Sequence, residues 1–301
     1  MPPQLALALS SLFWAGNFIV GRALRDQVQP VPLNFWRWTI ALIIILYFSF
    51  RVVRQYRSLL FRHWRLILIL AITGIAAFHI CVYQALQTTT ATNALLFLSI
   101  SPIMIVIGSR LVFQEPILLR QVTGIVISLL GVVALLTHGE PKKLFTLQFN
   151  VGDLWMLISV LLWSIYSVIL KQKPVELPQV ALLSSTIFIG VIVMLPLYLA
   201  TKSEGFGLEF SYSTAGGLLY IGIFASVVSY FCWNYGVIRI GPNKAGTFLH
   251  LIPLFGIVLS VIFLGETIQF YHLLGAMLIA TGIVLTNLAK NTAADTSKPE
   301  P

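Results

Sequence analysis

The chain has 301 residues, 58% of them hydrophobic and only 10% charged, with a net charge of +9 and a mean hydropathy of +0.91. A soluble domain carries roughly a quarter charged residues, so a water-soluble globular fold is excluded and an integral membrane protein is indicated. Period-2 strands separated by turn clusters, which a membrane barrel needs, are absent, and the basic excess reads as topology and contact with anionic lipid, not nucleic-acid binding.

A bilayer core of about 30 Å takes roughly 20 apolar residues per helix. Ten segments are predicted: Leu5–Leu24, Val31–Phe50, Trp64–Leu86, Ala91–Val112, Leu118–Thr137, Asp153–Leu170, Leu177–Ala200, Thr214–Ile238, Lys244–Leu264 and Phe270–Ala289. The first carries Trp14 and Asn17 near its middle, too deep for an interfacial belt to explain the indole. No small-residue cleavage site follows it, so it is expected to remain as the insertion signal. The second opens with Asn34-Phe35-Trp36-Arg37-Trp38. Trp36 and Trp38 suit the outer interface, which puts Arg37 there, snorkelling or paired.

The third segment carries His79 and, four residues on, Tyr83 on the same face, with Gln84 beside them. An imidazole at that depth requires a partner or water, so His79 is either an interhelix hydrogen bond or part of a cavity wall. The fourth holds Ser99, Ser101 and Pro102 near mid-membrane, where a proline deletes one backbone hydrogen bond and kinks the helix. The fifth has Gly124 and Gly131 seven apart, near one face, as a close-packing scaffold. A short polar connector, His138 to Asn150, then leads to the sixth, with Trp163, Tyr166 and Ser167. The eighth offers Tyr230, Trp233, Asn234 and Tyr235, a polar-aromatic patch costly to expose to lipid, and the ninth has His250 and Pro253. Gly275 and Gly282 lie in the tenth, and a polar tail, 291–301, is expected to be disordered.

Many of these landmarks recur at one interval. Ala94 and Ala245, Phe97 and Phe248, Pro102 and Pro253, Glu115 and Glu266, Gly124 and Gly275, and Gly131 and Gly282 are each 151 residues apart, as are Cys81 and Cys232. Trp14 answers to Trp163, and Arg22 to Lys171, at 149. The chain is therefore an internal duplication, with repeats at 5–137 and 153–290. Five helices is an odd number, so the second repeat enters from the opposite side of the bilayer. The fold class that follows is an all-α membrane protein of ten transmembrane helices in two inverted five-helix repeats, and Pro102 and Pro253 become paired hinges. Inverted repeats with interrupted helices around a mid-membrane site are a recurring transporter design.

Charge orients the chain. Arg51, Arg54, Arg57, Arg62, Arg65, Arg110, Arg120, Lys171, Lys173, Arg239, Lys244, Lys290 and Lys298 fall on one side, against Arg22, Arg25, Lys142, Lys143 and Lys202 on the other. The positive-inside bias makes both termini cytoplasmic. The ten carboxylates, Asp26, Glu115, Glu140, Asp153, Glu176, Glu204, Glu209, Glu266, Asp295 and Glu300, sit at helix ends, in loops or in the tail. Paired-carboxylate catalysis, a metal site and an acidic channel ring therefore lack materials in the core, and no enzyme activity or cofactor is expected. The same absence leaves His79 and His250 as the titratable groups near a path, and Cys81 and Cys232 as packing residues.

The motif Phe13-Trp14-Ala15-Gly16-Asn17 followed by Arg22, Arg37 opening the second helix, and Ala94…Pro102…Glu115…Gly124…Gly131, repeated as Ala245…Pro253…Gly265-Glu266…Gly275…Gly282, resemble the drug/metabolite transporter superfamily, in particular its EamA-type exporters. Gln114 stands where the second copy has Gly265, so the Gly-Glu pair is complete only once. The resemblance spans residues 5 to 290 and comes nearest to bacterial aromatic amino acid exporters. It implies a secondary transporter in the bacterial inner membrane, exporting small metabolites such as aromatic or other apolar amino acids by alternating access. The expected cavity lies between helices 1, 3, 4, 6, 8 and 9, with Trp163, His79, Tyr83, Asn17, Trp14, Ser101, Tyr230, Asn234 and His250 as candidate lining residues. The alternatives are a carrier of phosphorylated or nucleotide-linked sugars, which needs buried Lys or Arg for phosphate, and a non-transporting membrane scaffold.

Overall fold

The structure is a computed structural model that describes residues 1–24, 27–146, 150–203, 211–264 and 267–288. The expected tail 291–301, the Gly265-Glu266 pair, and Arg25 with Asp26 lie outside the described residues. The single helices are α1 (Pro3–Ala23), α2 (Pro30–Gln55), α3 (Trp64–Thr88), α5 (Leu119–Leu136), α6 (Val151–Ile169), α7 (Gln179–Ser203), α8 (Tyr212–Ile240) and α10 (Phe270–Leu288). Two are divided: α4 into Ala91–Leu98 and Ser101–Phe113, and α9 into Pro242–Gly246, Thr247–His250 and Leu251–Leu264. Nine helices among the described residues are long and apolar enough to cross a bilayer, and the divided α9 completes the expected ten.

Local chemistry sets the boundaries. Pro30 occupies the first turn of α2, where its missing N–H costs nothing. Thr90, Asn150 and Ser211 cap α4, α6 and α8 by accepting hydrogen bonds from Asn93, Gly152 and Thr214 backbone N–H groups at 3.1, 2.8 and 3.1 Å. Gln114 ends α4 in the left-handed region with φ 56°, and this is the position at which the second copy carries Gly265.

The inversion is visible in the helix packing. Gly124 lies against Gly282 and Gly131 against Gly275, so α5 and α10 run antiparallel; a Cβ added at Gly124 would lie 2.6 Å from the Gly282 carbonyl oxygen, and one at Gly131 2.8 Å from that of Gly275. Bare backbones meet there, as small residues allow in a membrane. The pair α2 and α7 is antiparallel too: Phe35 stacks on Tyr198 with centroids 4.2 Å apart, while Ser49 and Ser184 join hydroxyls at 2.7 Å further along. Between these outer pairs α1, α3, α6 and α8 form the centre.

Two departures from the sequence reading concern the interrupted helices. Pro102 does not kink a continuous helix: α4 breaks at Ser99–Ile100 and restarts at Ser101, placing Pro102 in a first turn. Its counterpart Pro253 follows the tightened 3-10 turn Thr247–His250. In addition, α3 and α8 each contain a π-helical stretch, Ala71–Ala76 and Ile221–Val228, at equivalent places in the two repeats. Such widened turns cluster at functional sites.

At one end of the bundle Glu115, after α4, pairs with Lys171 at the end of α6 and accepts from Asn243 Nδ2 of α9 at 2.9 Å. That carboxylate joins both repeats.

Candidate functional site

A small cavity of about 20 Å³ lies at the centre, lined by Trp14, Asn17, Phe18, Phe78, His79, Val82, Leu98, Trp163, Leu249 and Ile252. Its volume is that of about one water. The walls come from α1, α3, α4, α6 and α9, so both repeats contribute. Trp14 and Trp163, equivalent residues of the two repeats, meet edge to face with centroids 5.0 Å apart. Phe78 lies 4.9 Å and Tyr166 5.2 Å from Trp163. Behind them Tyr230 sets its ring edge-on to Trp14, Trp38 and Trp163 at 5.8, 5.0 and 5.6 Å. Each such pair adds about 0.5–1.5 kcal/mol beyond area burial, and together they make a closely packed aromatic block.

Two polar rings stand at the cavity wall, both on side chains exposed by 2% or less: Trp163, whose Nε1 lacks a hydrogen-bond partner among the described residues, and His79, whose ring has the backbone of Ile75, one turn back, as its polar neighbour. Buried polar groups are normally paired, and leaving one unpaired costs about 1–3 kcal/mol. Trp14 differs from its counterpart, since its Nε1 donates to the Ala225 carbonyl at 3.0 Å.

Arg37 overturns the expectation of an outer-interface residue. It is fully buried, because α2 has already entered the bundle and lies against the π stretch of α8 at that depth. Trp38, expected at the interface, is likewise fully buried. The Arg37 guanidinium donates from Nε to Ser226 Oγ at 2.6 Å, from one terminal nitrogen to Tyr83 at 3.0 Å and Asn17 Oδ1 at 3.4 Å, and from the other to the Ala225 carbonyl at 2.9 Å. The guanidinium also lies over the Trp38 ring, 5.0 Å from its centroid. Every partner is neutral, and no described carboxylate lies within ion-pair distance of the group. The π stretches supply acceptors on both sides: Ala225 O takes Arg37 and Trp14, and the equivalent Gly74 O takes the Tyr230 hydroxyl at 2.5 Å.

The candidate residues divide into three groups. Trp163, His79, Asn17 and Trp14 line the cavity together. Tyr83, Tyr230 and Asn234 stand immediately behind it, Tyr83 donating to Asn17 Oδ1 at 3.2 Å and Asn234 Oδ1 accepting from Tyr166 at 2.8 Å. His250 and Ser101 do not reach it. His250 spends both ring nitrogens elsewhere, Nδ1 on Ser128 Oγ at 2.6 Å and Nε2 on the Ser99 carbonyl at 2.9 Å. The break in α4 frees that carbonyl, because Ile103 N–H bonds Ile100 O instead, and His250 caps it. Ser101 is buried without a partner for its hydroxyl among the described residues. Arg37 and the π stretches were missed as parts of the centre. A larger cleft of about 550 Å³, lined by His138, Tyr271 and His272 among others, opens between the ends of α5 and α10 and stands apart from the central bundle.

The EamA-like transporter family matches residues 1–137 and again residues 150–288. An uncharacterized transporter of Archaeoglobus fulgidus is 26% identical over 286 residues, covering 94% of this chain and 96% of its own, and the uncharacterized transporter YyaM of Bacillus subtilis is 23% identical, covering 91% and 90%. A probable terminal-alkyne amino-acid exporter of Streptantibioticus cattleyicolor is 23% identical, covering 94% of this chain and 92% of its own. A crystal structure of a protein 18% identical superposes with a TM-score of 0.76 over 98% of this chain and 99% of that one, a likeness of fold alone. Ten helices in two inverted halves, matched twice over nearly their whole length, place the chain in the EamA-like transporter family, as a multi-pass membrane transporter.

Proposed function

We propose that the protein exports small metabolites, namely amino acids with aromatic or other apolar side chains, across the bacterial inner membrane by alternating access, both termini being cytoplasmic. The observation that carries this reading is the central cavity, apolar and aromatic in its walls, shared between inverted repeats, and lined by the polar ring nitrogens of His79 and Trp163, the latter unpaired among the described residues. An aromatic block offers flat faces to an apolar side chain, and the two nitrogens offer hydrogen bonds to a polar end. The name of the Streptantibioticus cattleyicolor relative agrees with an amino-acid cargo. At about 20 Å³ the cavity is closed to any amino acid, so transport requires the wall to open. The interruptions beside Pro102 and Pro253 are the hinges assigned to that motion. We assign no catalytic role and no cofactor.

The test is counterflow in proteoliposomes with radiolabelled phenylalanine, leucine and a polar control such as serine. Accumulation of the apolar amino acids is expected; none above protein-free vesicles overturns the reading. His79→Ala is expected to slow phenylalanine counterflow by about tenfold, the worth of one good hydrogen bond to cargo. Trp163→Ala would open a hole costing about 3–5 kcal/mol of stability, so Trp163→Phe, which removes the unpaired nitrogen and keeps an aromatic face, is the cleaner probe. Normal transport by both His79→Ala and Trp163→Phe removes these residues from the cargo site.

A further inference from the structure

A guanidinium in a membrane core is costly to desolvate, by several kcal/mol even after relaxation, and four neutral acceptors offset that only in part. Its acceptors do not depend on it for their hydrogen bonds. Each acceptor Arg37 uses has another partner: Ser226 Oγ donates to the Ile221 carbonyl at 2.9 Å, Ala225 O accepts from Trp14, and Tyr83 and Asn17 bond each other. Removing Arg37 orphans none of them. Asn17 stands between the two regions, lining the cavity on one side and accepting from Arg37 at only 3.4 Å on the other. A long bond to a neutral amide is one that a carboxylate outcompetes, because charge-assisted hydrogen bonds are about twice as strong. His79, on the same wall, is a second polar side chain lining the cavity.

We infer that Arg37 is the cargo's carboxylate-binding residue, reached by displacing Asn17, and that the site selects a carboxylate attached to an apolar body while the ammonium group of an amino acid contributes little to recognition. This rests on the amino-acid reading above and sharpens it to apolar monocarboxylates, with or without an amine. The described residues lining the cavity include no carboxylate to meet an ammonium. The tryptophan faces could attract a cation, but the guanidinium over Trp38 opposes one in the same cluster.

Four probes separate the groups: phenylalanine, 3-phenylpropionate (carboxylate only), phenylalanine amide and 2-phenylethylamine (amine only). Binding to the purified full chain in detergent is followed by isothermal titration calorimetry. Phenylalanine and 3-phenylpropionate are expected to bind within a few-fold of each other, and the amide and the amine about ten- to a hundredfold more weakly. Arg37→Met is expected to abolish that preference while melting no lower than the parent protein. Equal or tighter binding of the amide or amine, binding of none of the four, or an Arg37→Met protein that keeps its carboxylate preference each overturns the inference. So does a melting temperature in Arg37→Met well below the parent's, which assigns the residue to the fold. If 3-phenylpropionate binds and depends on Arg37 while phenylalanine is not moved in counterflow, amino-acid export falls and the carboxylate site stands.

Discussion

The two repeats hold the same pair of groups with the partners exchanged. In the first, α1 supplies an amide, Asn17, and α3 a phenol, Tyr83; in the second, α6 supplies the phenol, Tyr166, and α8 the amide, Asn234. Asn17 and Tyr166 are 149 residues apart and Tyr83 and Asn234 are 151 apart, the intervals of the duplication, so the backbone positions correspond. The hydroxyl–amide distance is 2.8 Å in the second repeat and 3.2 Å in the first, where both groups also serve Arg37. What the fold requires is one donor and one acceptor closed upon each other between neighbouring helices, and either helix can supply either. The guanidinium is an addition to that requirement. At the places equivalent to Arg37, counted by the two intervals, the second repeat has Thr186 and Phe188. The frame is symmetric and its charge is not.

The hardest way to break the comparison is to break the shared frame. Gly124→Ala puts a methyl group 2.6 Å from the Gly282 carbonyl oxygen, backbone that cannot move aside without separating α5 from α10. Overpacking of this kind costs about 1–3 kcal/mol or more. Gly131→Ala, 2.8 Å from the Gly275 carbonyl, should cost a similar amount. Both variants are expected to melt well below the parent in detergent, followed by tryptophan fluorescence. A parent-like melting temperature for either would show that the repeats do not meet as tightly as the antiparallel glycines require. Tyr166→Phe comes next. It leaves Asn234 Oδ1 buried without its donor, at about 1–3 kcal/mol, and should lower the melting temperature while the preference for 3-phenylpropionate over 2-phenylethylamine stays unchanged. A changed preference with an unchanged melting temperature would reverse the roles given to the two pairs.

Much of the frame was legible in the sequence because it is written in residue types with one physical use. Gly124, Gly131, Gly275 and Gly282 at one interval marked close backbone packing, and an odd helix count marked inversion; which helices meet there came only from the structure. The depth of Arg37 was not legible, because tryptophans at 36 and 38 are the usual flanks of an interfacial arginine. Only the packing of α2 against α8 distinguishes an interface from a bundle interior. The π stretches at Ala71–Ala76 and Ile221–Val228 were not legible, since their small and apolar residues serve an ordinary α-helical turn equally well. His250 shared a depth with the cavity, but its rotation about the helix axis turns it toward Ser99 and Ser128. The exchanged tyrosine and asparagine pairs were within reach: the intervals that matched Pro102 to Pro253 and Trp14 to Trp163 also match Tyr83 to Asn234 and Asn17 to Tyr166. A search for identical residues passes over them because the chemistry is conserved across the pair and not at the position.

Tyr83→Phe has the smallest expected effect and discriminates most finely. Its hydroxyl bonds Arg37 at 3.0 Å and Asn17 at 3.2 Å, and these two also bond each other at 3.4 Å. Deleting it therefore leaves no atom of that group alone, in contrast with Tyr166→Phe. The stability change should be about 0.5–1 kcal/mol, the net worth of an ordinary hydrogen bond with no orphaning penalty. The phenol also occupies a guanidinium N–H that a carboxylate would use, so affinity for 3-phenylpropionate should hold or rise. Tyr83→Phe thus separates the two pairs by size of effect: near-parent melting with undiminished carboxylate binding here, clearly lowered melting with the same preference in Tyr166→Phe. If Tyr83→Phe instead melts as low as Tyr166→Phe, the first pair is as structural as the second. Arg37 would then be one more strut between α2 and α8.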